Sequence, residues 1–211
     1  MNAEGDSRHL DPADLERAFA RRRSYRAFSK DPVDIEVVRR CVRIAATAPS
    51  GANQQPWTYV IVGNPDTKAE IRRRAESVER EFYRRRITEE WQEKLDPLGV
   101  DWRKPFLEAA PYLVCAFVQA YGIDEAGNHI KHYYPSESVS ISVGFFIAAA
   151  HLAGLATVPY TPAPMKFVRE ILGRPANERP LCILPVGLPA PDYTPPDIPR
   201  RHPSEAIVED L

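Results

Sequence analysis

Cysteine is scarce in this 211-residue chain, where Cys41, Cys115 and Cys182 are the whole supply. Their count is odd, they lie far apart inside apolar segments, and no C-x-x-C occurs. That excludes a disulfide scaffold or thiolate zinc site and points to buried thiols in a reducing compartment. They sit in apolar segments, so a cysteine nucleophile is not expected. Glycine is also sparse, at 10 residues, and the absence of Gly-x-Gly-x-x-Gly argues against a Rossmann nucleotide site. Net charge is close to nil, at −1, which disfavours a nucleic-acid partner despite local arginine runs. Long hydrophobic runs are missing too. The most apolar stretch, Ile141 to Leu155, is shorter than a bilayer span and contains Ser142 and His151, and Met1 to Pro12 is polar with no signal peptide. His129-x-x-His132 has no third ligand at metal spacing, so no metal site is assigned. These absences leave a cytoplasmic protein with no membrane segment.

What is present suits one large domain over residues 1–211, with 44% hydrophobic and 27% charged residues. A first helix starts near Asp11-Pro12, with Leu15 and Phe19 on one face, and runs into the arginines. Asp34 caps a second, whose Ile35, Val38, Val42 and Ala45 keep helical spacing, and Gly51 ends that region in a turn. Trp57 to Val62 reads as a strand, broken by Gly63-Asn64-Pro65. Residues from Asp66 to about Leu95 are charged helix formers that cannot bury much of themselves, so 66–104 is read as a lid outside the core. Tyr112 to Val118, Ala156 to Tyr160 and Leu181 to Val186 read as strands. Ser136 to Leu152, apolar nearly all round, reads as a helix at the centre of the core or of a dimer, with His151 packed in the core. A further helix covers Lys166 to Leu172 and closes at Gly173. Residues 189–211 carry Pro191, Pro195, Pro196 and Pro199, a composition that gives an extended arm.

Two segments carry chemistry. Arg22-Arg23-Ser24-Tyr25-Arg26 places three guanidiniums and a hydroxyl within five residues, a set able to clamp a phosphate by charge-assisted bonds. Taken alone, the cluster reads equally as a solvated helix C-terminus, where cations are favoured by the dipole. Ala48-Pro49-Ser50-Gly51-Ala52 is a turn whose backbone N–H groups can lie against a flat ligand.

Together these segments resemble the FMN-contacting segments of the nitroreductase-like flavoenzymes. The resemblance implies an α+β fold with a central mixed β-sheet flanked by helices. It further implies an intertwined homodimer with FMN at the subunit interface and the C-terminal arm laid across the partner. By position, Arg22, Arg23, Ser24 and Arg26 match phosphate and flavin-edge ligands. Pro49, Ser50 and Gly51 match the turn against the cofactor. Thr157-Val158-Pro159-Tyr160-Thr161-Pro162 supplies a third segment, in which Thr161 holds the position of a hydroxyl that bonds the flavin N5 and supports one-electron delivery. Pro159 and Tyr160 depart from the usual hydroxyl-rich pattern, so their contacts are expected through backbone. Arg200, with Arg201 beside it as a substitute, matches a late phosphate-side arginine.

Glu79 and Tyr83 lie four apart on one face of the charged helix, and Lys104 follows its break. Without context such a pair is surface decoration. The three match the substrate-binding Glu, Tyr and Lys of the iodotyrosine deiodinase branch of the nitroreductase superfamily. That resemblance runs from about Arg22 to Ile207, through His132-Tyr133-Tyr134, Ser138-Val139-Ser140-Ile141, Leu172-Gly173-Arg174-Pro175-Ala176 and Leu184-Pro185-Val186-Gly187. It implies that Glu79 takes the α-ammonium of a halotyrosine while Tyr83 and Lys104 take its α-carboxylate. The Ala52 N–H would bind the phenolate oxygen. The expected activity is FMN-dependent reductive dehalogenation of 3-iodotyrosine, diiodotyrosine and related halotyrosines, with NAD(P)H as ultimate electron donor, directly or through a separate reductase. No counterpart of the animal members' N-terminal membrane anchor is seen, which points to a soluble, bacterial-type relative. A broad FMN nitroreductase or quinone reductase, and a flavin-dependent binding protein without turnover, are the competing readings.

Overall fold

The computed structural model describes residues 10–210. The reading of Met1 to His9 as leaderless, and the last residue of the arm, Leu211, lie outside them. Four strands form the central sheet: β1 (Trp57–Val62), β2 (Tyr112–Gln119), β5 (Ala156–Thr157) and β6 (Glu178–Gly187), in the order β1-β2-β6-β5. Its three strand pairs are all antiparallel. The mixed character expected of the sheet is confined to one parallel bridge, Ser24 to Thr157. A separate hairpin, β3 (Tyr121–Ile123) and β4 (His129–Lys131), stands beside it.

Side chains of β2 alternate between two apolar layers, as strand geometry requires. Leu113, Cys115 and Phe117 enter one layer with Ile71, Leu107 and Phe167. Val114, Ala116 and Val118 enter the other with Val38, Cys41 and Phe146. Both faces are covered, so β2 reads as a continuous apolar run in place of an alternating one. One cover is built from α3 (Pro65–Arg85), α5 (Phe106–Ala109) and α7 (Lys166–Ile171). The other is built from α2 (Ile35–Ala45) and α6 (Pro135–Leu152). α1 (Pro12–Ala20) buries no residue fully and touches α6 at the edge. α4 (Glu89–Leu95) follows α3 after a break at residues 86–88, where Thr88 accepts from the Trp91 N–H and starts a new helix.

Several expectations are revised. β5 is two residues long where Ala156 to Tyr160 was expected, because Pro159 has no N–H to give the ladder. Tyr160 regains register by a bridge to Ile183. α3 is not wholly outside the core: Ile71 and Ala75, one turn apart, are fully buried, so the lid begins above them. His151 is half-buried and bonds the Ala18 carbonyl at 2.8 Å, joining α6 to α1. α6 buries Val139, Val143 and Phe146 but leaves Ile141, Phe145 and Leu152 exposed, an apolar face with no cover among the described residues. The arm is extended as far as Arg200, ahead of a short 3-10 turn at Pro203–Glu205, and runs along residues 20–29 of its own chain. There Arg200 donates to the carbonyls of Ala20 at 2.8 Å and Arg22 at 2.7 Å. A helix C-terminus leaves such carbonyls unpaired, and the guanidinium meets that need.

The Thr157 hydroxyl is the one buried side-chain polar atom without a hydrogen-bond partner among the described residues. An unmet buried hydroxyl costs about 1–3 kcal/mol, and valine has the same shape. Thr157→Val should therefore stabilise the flavin-free protein by about 1 kcal/mol in urea unfolding. A lower stability would show that the hydroxyl is in use.

Candidate active site

The 66–104 excursion, expected from the sequence to act as a lid, rests on a footing in the lower half of α3. Lys68 is buried there, and its ammonium donates to the carbonyls of Ala110 at 2.6 Å and Glu108 at 3.1 Å at the end of α5. Burial pulls its pKa below the ordinary lysine value. One turn higher, Arg72 bonds Glu76 at 2.8 Å and Glu108 at 3.0 Å, and Glu76 also accepts the Lys104 N–H at 2.8 Å. The chain returning from α4 is thereby fastened to the helix that left the core. An edge-on contact of Phe82 with Trp91, at 4.9 Å, binds α4 to α3 above.

This clasp brings together the three side chains singled out for substrate. Lys104 Nζ lies 3.2 Å from Glu79 Oε2, and their side chains are only 8% and 15% exposed. The ammonium also donates to the Asp101 carbonyl and lies 5.6 Å from the centre of the Tyr83 ring. The Tyr83 hydroxyl reaches the Val100 carbonyl at 3.4 Å, a long bond that leaves it available. Burial and the Glu79 charge push its pKa up, so it stays a donor. The three border a cavity of about 610 Å³, whose wall also carries Arg26, Pro159, Tyr160 and Thr161.

Tyr160 departs from expectation. Its side chain, not only its backbone, enters the site, and its hydroxyl donates to Glu79 Oε1 at 3.2 Å. Burial, with Glu79 and Glu76 nearby, drives its pKa far above the ordinary tyrosine value. A tyrosine three residues after a strand gave no sequence signal for this contact. Only the bridge to Ile183, which turns residue 160 back onto the sheet, creates it.

The remaining candidates lie elsewhere. Arg22, Arg23, Ser24 and Arg200 line none of this cavity. Arg23 pairs with the exposed Asp197 at 2.9 Å and donates to the Ile198 carbonyl at 3.0 Å. Arg22 has its pKa lowered by burial and by the charges of Arg200 and Arg23, so positive charge is crowded there. Pro49, Ser50, Gly51 and Ala52 also stand outside the cavity. A Cβ on Gly51 would lie 2.4 Å from the Tyr133 carbonyl, so only glycine lets the turn seat against that loop. Gln54 holds the same loop by accepting from the Tyr133 N–H at 2.7 Å and donating to the Lys131 carbonyl at 2.8 Å. Ala52 and Asn53 both have left-handed φ, of 49° and 53°, a conformation that concentrates at functional turns. The three thiols are buried, and desolvation raises the pKa of Cys182 to about 12. His129 stacks on Tyr121 and His132 contacts the Gln119 carbonyl. No helix among the described residues is long and apolar enough to cross a membrane.

A four-stranded antiparallel sheet lies between helical layers, and the profile of a flavoenzyme family, the nitroreductase family, matches residues 19–188. The chain belongs to the nitroreductase family. Among its relatives, iodotyrosine deiodinase of Haliscomenobacter hydrossis is 48% identical over 89% of this chain and 84% of its own length. Iodotyrosine deiodinase of Nematostella vectensis is 42% identical over 93% of this chain and 75% of its own. A crystal structure of oxidized iodotyrosine deiodinase bound to FMN and 3-iodo-L-tyrosine superposes with a TM-score of 0.79 at 35% identity, covering 89% of this chain and 95% of that one.

Glu76 is the acid-sensitive part of the clasp. Burial alone would raise its pKa, but bonds from Arg72 and the Lys104 N–H outweigh it and hold the carboxyl below its ordinary value. A depressed folded pKa gives stability that is complete above the ordinary carboxylate range and is lost as pH falls through the folded value. Urea unfolding of Glu76→Gln should show lower stability than the parent at pH 7, with the gap closing on acidification to about pH 3. A gap independent of pH would remove the charge from this account.

Proposed function

We propose that this chain is an FMN-dependent oxidoreductase that dehalogenates 3-iodotyrosine, diiodotyrosine and related halotyrosines. The observation that carries the reading is the buried Glu79–Lys104 pair with Tyr83 at its side, facing a cavity that also holds Thr161. A buried acid–base pair is costly unless both charges stay matched. An amino-acid zwitterion is a ligand that can enter without breaking that balance. Its ammonium takes the place of Lys104 on Glu79, and its carboxylate takes the Lys104 ammonium and the Tyr83 hydroxyl. Neutral phenols and quinones bring no such pair.

The residues fit FMN by their chemistry. Arg22, Arg23, Arg26 and Arg200 bring four guanidiniums, against the single exposed carboxylate of Asp197 paired with Arg23 among the described residues. That excess suits a phosphate. Arg22, Arg23, Ser24 and Arg26 would hold the phosphate, with Arg200 behind them. Pro49, Ser50, Gly51, Pro159, Tyr160 and Thr161 would border the ring. FMN, when bound, supplies two electrons that, with one proton, replace the carbon–halogen bond by carbon–hydrogen and release halide. The Thr161 hydroxyl would hold a hydrogen bond at the flavin edge. The Ala52 N–H would receive the phenolate oxygen, and an ortho halogen favours halotyrosine over tyrosine by making that phenol more acidic. The lid excludes water as it closes over the ring. NAD(P)H serves as ultimate reductant, directly or through a separate reductase.

The site calls for a second copy of the chain. The 49–52 turn and the Glu79 cavity are separate features of one protomer, while α6 exposes Ile141 and Phe145 and α2 exposes Ile44. A homodimer that buries this face would bring turn and cavity together, with FMN between subunits. Sedimentation should then give twice the 23.8 kDa chain mass, and a monomer that keeps full activity would refute it. Three free, buried cysteines suit a reducing compartment, and we assign the cytoplasm.

Anaerobic mixing of the reduced holoprotein with 3-iodotyrosine should release iodide as the flavin reoxidises. Rapid turnover of nitroaromatics without iodide would favour a broad reductase, and binding without iodide a sensor. Glu79→Gln should weaken halotyrosine binding by about 2–5 kcal/mol, which is roughly thirtyfold or more. An unchanged affinity would defeat the zwitterion assignment.

A further inference from the structure

The Glu79 carboxylate is gripped from two sides, and only one grip belongs to the expected recognition set. Oε2 meets Lys104 at 3.2 Å, and Oε1 accepts from the Tyr160 hydroxyl at 3.2 Å. We propose that Tyr160 is a positioning residue for substrate recognition, whose phenol keeps the Glu79 carboxylate aimed while Lys104 leaves it for the substrate's α-carboxylate and the α-ammonium takes its place. The inference rests on the zwitterion reading above and adds to it the group that makes the exchange orderly.

Tyr160 is built to stay still. Its N–H donates to the Ile183 carbonyl, and its carbonyl accepts from the Ile183 N–H, each at 2.9 Å, which fixes its backbone on the sheet. Its ring meets the buried Phe106 edge-on at 5.7 Å, and Lys104 Nζ lies 5.9 Å from its centre. Glu79, by contrast, sits on the upper half of α3, whose buried residues Lys68, Ile71 and Ala75 all lie below it. The phenol thus ties a site on the lid to a point on the rigid sheet. Without it, the carboxylate would be held by Lys104 alone, the group that must turn to the substrate carboxylate. The carboxylate would then be free to rotate as the ligand arrives, and part of the binding energy would go to ordering it. Burial beside Glu79 keeps the phenol protonated, so it remains a donor throughout.

The test is Tyr160→Phe in the holoprotein at saturating FMN, which removes the hydroxyl and keeps the ring. A hydrogen bond to a charged group is worth tenfold or somewhat more in affinity, so Kd for 3-iodotyrosine, read by flavin fluorescence, should rise about tenfold. Binding of 2-iodophenol, which has no zwitterion, should be unchanged. KM for 3-iodotyrosine should rise by a larger factor than kcat falls. In a Glu79→Gln background, the second substitution should add less than about twofold. An unaltered Kd for 3-iodotyrosine, equal weakening of both ligands, or full additivity with Glu79→Gln would overturn the proposal. If the parent protein itself binds no 3-iodotyrosine, the functional reading fails. If the parent binds it and Tyr160→Phe binds it equally, only the role of the phenol fails.

Discussion

A carboxylate and an ammonium withheld from water decide how the rest of this molecule must be arranged. Glu79 and Lys104 come from opposite ends of a long excursion and meet with little solvent between them. Neither could be buried alone at tolerable cost, so each requires the other, and both require a frame that holds their backbones at the right separation. The Arg72–Glu76 pair, the Lys104 N–H bonded to Glu76, and the Lys68 ammonium among the α5 carbonyls make up that frame. The sheet underneath serves chiefly to give these polar contacts something rigid to stand on.

The same pair explains how selectivity for amino acids can arise in a fold that lends itself to general reduction. A cavity of about 610 Å³ with aromatic and aliphatic walls would accept many flat molecules. What separates them is the cost of disturbing an ion pair already satisfied. A ligand that carries both charges restores the balance on entry, whereas one that carries neither leaves the pair as it was and gains nothing from it. On the proposed reading, discrimination would be set at the end of the ligand farthest from the reacting ring.

Much of this was visible in the residues. The apolar runs of β1, β2 and β6, the cap at Asp34 and the face of α2 follow from period, cap and breaker, and β1 has the expected bounds. Glu79 and Tyr83 could be placed on one helical face, and likeness to a known branch added Lys104. Other features depend on distant partners. Ile71 and Ala75 carry helical spacing, but the charge around them hid a turn of core inside a polar helix. α5 is too short to leave a periodic signal, and the β3–β4 hairpin announces itself only through Asp124 and Asn128 closing a turn at Gly127. The Tyr160–Glu79 bond joins residues 81 apart in sequence and depends on a register that Pro159 interrupts.

The division of α3 has a practical bearing on redesign. Its lower turns are socketed into the core through Ile71, Ala75 and Lys68, while the stretch from Glu79 to Arg103 buries no apolar residue fully and meets the body of the protein through polar contacts such as Glu79–Tyr160 and Arg86–Ala163. Diversity introduced along the upper stretch should therefore reshape what the protein accepts without endangering the scaffold. A library confined to residues 80–102 would explore new ligands from a foundation that natural drift and directed evolution can both leave untouched.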